Sequence, residues 1–178
     1  ERVRTVYLGV PLDEFSRERT PGEIARARQA LGVAPGEMAI GTVTRLHDSK
    51  GNSYLVDAAA LVVKERPNAK FFLVGEGPLL GDLQAQARAL GLGDRFVFHG
   101  FARDVAAVVS AFDVSVFPSL WEGTPLTVFE ALAMGKPILA TDADGLLDVL
   151  TDDRDAVIVP KRDAAALAGG IVRLIDDP

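Results

Sequence analysis

The chain is expected to fold as an α/β protein, a Rossmann-like doubly wound parallel sheet with helices on both faces. Three observations point there. Short runs rich in Val, Ile, Phe and Leu alternate with helical segments of roughly 8 to 15 residues along the whole chain. That alternation reads as successive βαβ units around a parallel sheet covered on both sides. The 178 residues and 48% hydrophobic content suit one globular domain with a substantial core.

Taken in order, residues 3–10 (VRTVYLGV) read as a short strand and turn, and PLDEFSRERTP as a polar, Pro-bounded connector. Residues 1–20 together read as a linker region. Residues 21–31 form a helix closed by Gly32. EMAIGTVTRL is a strand, followed by a helix over 52–66 that Pro67 stops. AKFFLVG is a strand breaking into Glu76-Gly77-Pro78, and 79–90 is a helix closed by Gly91. RFVFHG is a strand, 103–111 a short helix, and DVSVFP the next strand. A helix over 125–134 follows, with Thr124 as N-cap and Pro125 at the first helical position. Leu126, Phe129, Leu132 and Ala133 give it a buried face, and Gly135 ends it. PILAT is a strand, a short helix lies near 145–150, AVIVP is the last strand, and 163–175 the last helix. No internal repeat or domain boundary is visible, so 1–178 is one domain.

Composition excludes several classes. The net charge is −6 with both signs interspersed, which disfavours a general nucleic-acid or anionic-membrane surface. There is no cysteine, hence no disulfide framework and no thiolate metal site. No apolar run approaches membrane-spanning length. The chain opens at Glu1 without a methionine and reads as a domain excised from a longer protein.

Ligands of open α/β sheets sit beyond the carboxyl ends of the strands, near the topological switch point. The residues expected there are therefore the candidates. After the strand 38–44 come Arg45 and Lys50, two cations that could clamp a diphosphate. After 70–74 comes Gly75-Glu76-Gly77-Pro78, which is Gly-rich but matches no phosphate-loop signature. After 96–98 come Phe101 and Arg103, and after 114–117 come Trp121, Glu122, Gly123 and Thr124. The helix that begins beyond Thr124 offers unpaired N–H groups and the positive end of its dipole, which suit a phosphate. Glu122 lies in the loop entering that helix and Glu130 within it. On spacing alone, these acids are also compatible with a surface charge and a solvated helix position. Together, two cations, a helix N-terminus and two acidic acceptors suit a phosphorylated, hydroxyl-rich ligand such as a nucleotide-diphosphate sugar.

GTVTRLHDSKG, PNAKFFLVGEGPLLGDLQAQARALGLGDRFVFHGF and DVSVFPSLWEGTPLTVFEALAMGKPILAT carry a specific likeness. The chain resembles, over nearly its whole length, the C-terminal, donor-binding domain of retaining GT-B glycosyltransferases of family four. The resemblance implies one half of a GT-B fold, with the N-terminal acceptor domain absent. It implies that Arg45 and Lys50 contact the donor diphosphate and Glu122 the donor sugar, and that Glu130 takes the ribose hydroxyls. Backbone N–H groups near Leu126 and Thr127 would face the phosphates, and Gly123 and Thr124 would also bind the substrate; Phe101 and Arg103 would line the base pocket, with Gly75 and Glu76 nearby. The partner would be a UDP-, GDP- or ADP-sugar, used as substrate with no cofactor and no metal. The sugar would pass to an acceptor hydroxyl with retention. The location would be cytoplasmic, or peripheral to the membrane through the absent domain. The isolated chain would bind nucleotide and transfer nothing.

Other readings remain at this stage. A retaining hydrolase needs two carboxyls about 5 Å apart, which an eight-residue spacing entering a helix does not favour. Asp142-Ala143-Asp144 matches a DxD pattern for metal binding, although paired acids in turns are common. A receiver-like regulatory module of the doubly wound type would place a phosphoacceptor such as Asp48 at a strand end. A sugar-nucleotide epimerase or a phosphorylase would share the fold. Asp148 stands where the family carries Glu, and Asp155-Ala156 where it carries Asn-Gly.

Overall fold

A computed structural model describes residues 9–177 of the chain. Six strands form one parallel sheet: β1 (Met38–Val43), β2 (Ala69–Val74), β3 (Phe96–Gly100), β4 (Val114–Phe117), β5 (Ile138–Thr141) and β6 (Val157–Val159). Their spatial order is β3-β2-β1-β4-β5-β6. β1 runs beside β2 in register from Met38–Ala69 to Val43–Val74, and pairs β4 through Ile40–Val114 and Gly41–Ser115. The order reverses between β1 and β4, and that reversal opens a crevice beyond their carboxyl ends. A receiver-like domain would show the order 2-1-3-4-5 instead, so that alternative is set aside.

The helices are α1 (Leu12–Phe15), α2 (Pro21–Leu31), α3 (Asn52–Glu65), α4 (Leu80–Ala89), α5 (Val105–Ala111), α6 (Leu126–Ala133), α7 (Asp144–Leu147) and α8 (Ala164–Asp176). Alternate residues of each strand serve opposite faces. Ile40, Phe71, Leu73, Val114, Val116 and Leu139 pack under α3, α4 and α8. Ala39, Phe72 and Val74 pack under α2 and α5, while Phe117, Ile138 and Ala140 pack under α6 and α7. Both faces are buried, which explains why the strands read as continuous apolar runs. Gly41 is required by this packing, since a Cβ there would fall about 2.1 Å from the ring of Phe112.

Local chemistry sets several boundaries. α2 begins with a capping box: the Glu23 N–H donates to Thr20 Oγ1, and the Thr20 N–H donates back to the Glu23 carboxylate at 2.9 Å. The Arg17 guanidinium and Thr20 hold the Glu23 carboxyl down at about 2. Asp104 and Asp163 cap α5 and α8 by accepting from the N–H groups of Ala107 and Ala166.

Other expectations need correction. The connector after Pro11 contains α1, a single turn whose Phe15 is buried. The helix expected near 145–150 starts at Asp144 and closes at Leu147. Thr124 does not cap α6. Pro125 (φ −82°, ψ 82°) is the centre of an inverse γ-turn that bonds the Leu126 N–H to the Thr124 carbonyl at 3.0 Å, so the helix starts one residue later. The strand expected over residues 3–10 lies outside the described residues except for Gly9 and Val10, which are irregular.

Candidate functional site

The crevice between β1 and β4 is built by two loops that are stitched to each other. The loop after β1 is anchored by the buried Leu46, whose N–H donates to the Glu76 carbonyl at 2.9 Å. It then makes a 3-10 turn, Asp48–Lys50, and leaves through Gly51 at φ 60°. The Ser49 carbonyl accepts from the N–H groups of Leu120 (2.8 Å) and Trp121 (3.2 Å) in the loop after β4. Gly51 lies so close to Pro118 that a Cβ would sit 1.9 Å from its carbonyl oxygen.

This seam brings together residues 72 apart in the chain. Lys50 Nζ lies 2.6 and 2.7 Å from the two carboxylate oxygens of Glu122. Their side chains are 19% and 11% exposed, so the pair is largely withdrawn from water. Ser119 Oγ donates to Glu122 Oε1 at 2.7 Å, and Thr141 Oγ1 donates to the Ser119 carbonyl. Beneath the loop, Gly145 packs against the carbonyls of Glu122 and Gly123, where a Cβ would meet oxygens at 2.5 and 2.3 Å. The Glu122 carboxylate is thus held by Lys50 and Ser119 and its backbone by the close approach of Gly145, while the adjoining Gly123, Thr124 and Leu126 remain exposed.

Glu130 sits one turn inside α6, half-buried, with Oε2 lacking any hydrogen-bond partner. Burial pushes its carboxyl up, and the charge of Glu14 on α1 adds to the shift. α1 packs directly on α6. Thr127 faces the sheet beside a small void that also touches Thr42, Ser115 and Ala131. The Leu126 N–H is already engaged by the γ-turn.

On the β2–β3 side, Gly75 (φ 135°) lies against the Thr44 carbonyl, and its N–H donates to the Gly100 carbonyl. Glu76 and Arg103 are exposed, and Phe101 is 68% exposed. Arg45 is exposed and pairs with no acid among the described residues. The structure therefore joins Lys50 to Glu122, but leaves Arg45 free in solvent and Glu130 half-buried apart from them. Lys136, within the same motif as Glu130, ties the turn after α6 to α5: its ammonium donates to the carbonyls of Ser110 (2.8 Å) and Phe112 (2.7 Å).

The acidic pair near β5 is divided. Asp142 accepts from the Lys161 N–H at 2.8 Å, and Asp144 opens α7. Among the described residues, no three His, Asp or Glu side chains cluster as metal ligands would. No helix among them is long and apolar enough to cross a membrane. A groove of about 640 Å³ lies at the opposite edge of the sheet, along α2 and the turn through Gly32 and Gly36. Sequence reasoning assigned no part to Ser119 or Thr141. The one signal for Ser119 was its place three residues before Glu122, in a loop where serine is commonplace, and Thr141 at the end of a strand carried none.

Residues 37–177 match the family described as glycosyl transferases group 1. The 2-deoxystreptamine glucosyltransferase of Streptomyces kanamyceticus is 32% identical over 94% of this chain and 44% of its own. The UDP-Gal:alpha-D-GlcNAc-diphosphoundecaprenol alpha-1,3-galactosyltransferase of Escherichia coli is 27% identical over 99% of this chain and 46% of its own. Among solved structures, Anabaena HepE in complex with UDP and glucose superposes with a TM-score of 0.89 at 28% identity, covering 98% of this chain and 47% of that one. The chain spans about half the length of the curated relatives it matches.

Proposed function

The chain belongs to the group 1 glycosyl transferases, and from that premise we propose that it is the donor-binding half of a retaining enzyme. Its ligand is a nucleotide-diphosphate sugar, and the whole protein transfers that sugar to an acceptor hydroxyl. The single observation that carries the reading is the Lys50–Glu122 pair at the switch point, beside the N-terminus of α6. A cation and a helix tip suit a diphosphate, and a fixed carboxylate suits sugar hydroxyls.

In this reading, Lys50 and Arg45 neutralise the charge that grows on the diphosphate as the glycosidic C–O bond breaks. They do so without a metal or other cofactor. Glu122 accepts from donor-sugar hydroxyls and holds the anomeric carbon beside the leaving oxygen. Gly123, Thr124 and Thr127 stand at the phosphates, while the Leu126 N–H stays with the γ-turn. Glu130, with its unpartnered Oε2, accepts from the ribose hydroxyls. Gly75, Glu76, Phe101 and Arg103 border the base. The acceptor oxygen bonds to the anomeric carbon on the face from which the diphosphate leaves, so configuration is retained, and its proton passes to the departing diphosphate oxygen.

Calorimetric titration with UDP, GDP and ADP, and with their glucose conjugates, tests this. One of the three series should bind, and Lys50→Met should weaken it at least tenfold. Binding of none, or robust sugar transfer by this chain alone, would overturn the reading.

A further inference from the structure

Resting on that reading, we propose that Glu122 competes with the donor diphosphate for Lys50, so that the site distinguishes a loaded donor from a spent nucleoside diphosphate. A lysine ammonium has three N–H donors, and Glu122 engages it through both carboxylate oxygens. Both side chains are mostly buried, so separating them leaves two charges needing new partners. Oε1 keeps the Ser119 hydroxyl when Lys50 turns away, but Oε2 keeps nothing.

The two forms of the nucleotide differ at this point. A diphosphate entering beside Lys50 draws the ammonium off Glu122 and brings negative charge towards the carboxylate. A sugar still attached to the diphosphate offers hydroxyl donors that take the place of Lys50 on Glu122. A bare nucleoside diphosphate offers none, and leaves a desolvated carboxylate facing phosphate. Glu122 thereby disfavours the spent nucleotide and recaptures Lys50 when it departs. Ser119 and the Thr141 contact behind it hold the carboxylate still while its partner changes.

The test compares Kd values of nucleoside diphosphate and nucleoside diphosphate–glucose for wild type, Glu122→Gln, Lys50→Met and the double variant, each first checked by circular dichroism. Glu122→Gln should bind the bare diphosphate about threefold to tenfold more tightly, the size of a partly screened charge contact. It should bind the glucose conjugate more weakly. On the Lys50→Met background most of the gain should vanish. If Glu122→Gln does not fold, Ser119→Ala gives the opposite sign: Glu122 then depends more on Lys50, and the bare diphosphate binds more weakly. A bare-diphosphate affinity that Glu122→Gln leaves unchanged or lowers, or that Ser119→Ala leaves unchanged, overturns the competition while the donor reading stands. Failure of wild type to bind any conjugate sinks the donor reading itself.

Discussion

Ser119 Oγ lies 2.7 Å from Glu122 Oε1, the same oxygen that Lys50 holds at 2.6 Å. One carboxylate oxygen thus receives a neutral and a charged donor, while the other receives only the charged one. Ser119 is itself buried, and its carbonyl is held by Thr141 on β5. The orientation of Glu122 is therefore set by β5 as well as by the loop it belongs to.

Ser119→Ala should keep the fold, because the hydroxyl is small and the Thr141 contact is to backbone. It should weaken the glucose conjugate about tenfold, on the scale of a lost hydrogen bond to a charged group. Ser119→Thr, which restores the hydroxyl, should recover most of that loss. Equal affinities of wild type and Ser119→Ala for the conjugate would show that the Ser119 hydroxyl does not orient the carboxylate.

The seam between the two loops makes a different prediction. Gly51→Ala places a methyl 1.9 Å from the Pro118 carbonyl oxygen, at a backbone φ of 60° that disfavours a side chain. The loops after β1 and β4 must then move apart. Urea unfolding should show a loss of about 2–4 kcal/mol, the range for overpacking combined with backbone strain. Gly123→Ala, with nothing within 4 Å of its Cβ, is the control and should unfold as wild type does.

Where physics is local, the sequence was legible. α2 was bounded to the residue, because Pro21 and Gly32 supply its start and stop within a few positions. α1 was not legible: four residues in a polar connector carry no periodicity, and only the burial of Phe15 against the domain gives them a fold. The start of α6 was placed one residue early, because Thr-Pro is as good a cap signature as it is a γ-turn. In the site, Arg45, Lys50 and Glu122 could be set at strand ends, and Glu130 on the helix that follows, from the alternation of elements. That Lys50 meets Glu122 while Arg45 stands free depends on the seam at Ser49 and Gly51, which is tertiary and leaves no local mark.

Glu130 gives a pH dependence of defined sign. Burial, then the Glu14 charge, raises its carboxyl in the folded chain above the unfolded value of about 4.3. A raised folded pKa means that the folded state holds the proton more tightly. The stability it contributes is fully present below the unfolded value and is lost as pH rises through the folded one. At pH 8 the ionised, half-buried carboxylate is a standing cost, with Oε2 unsatisfied. Glu130→Gln should therefore melt higher than wild type at pH 8, and the difference should close by pH 4. Glu14→Gln should act in the same direction and less, since its charge is the smaller cause. An unchanged melting temperature for Glu130→Gln at pH 8 would remove the burial argument. In the proposed reading the same orphaned oxygen accepts from the ribose hydroxyls, so Glu130→Ala should gain stability yet weaken nucleoside diphosphate binding by about 1–3 kcal/mol. Stability gained without affinity lost would leave Glu130 buried for no purpose of binding, and would reassign the ribose contact elsewhere on the crevice rim.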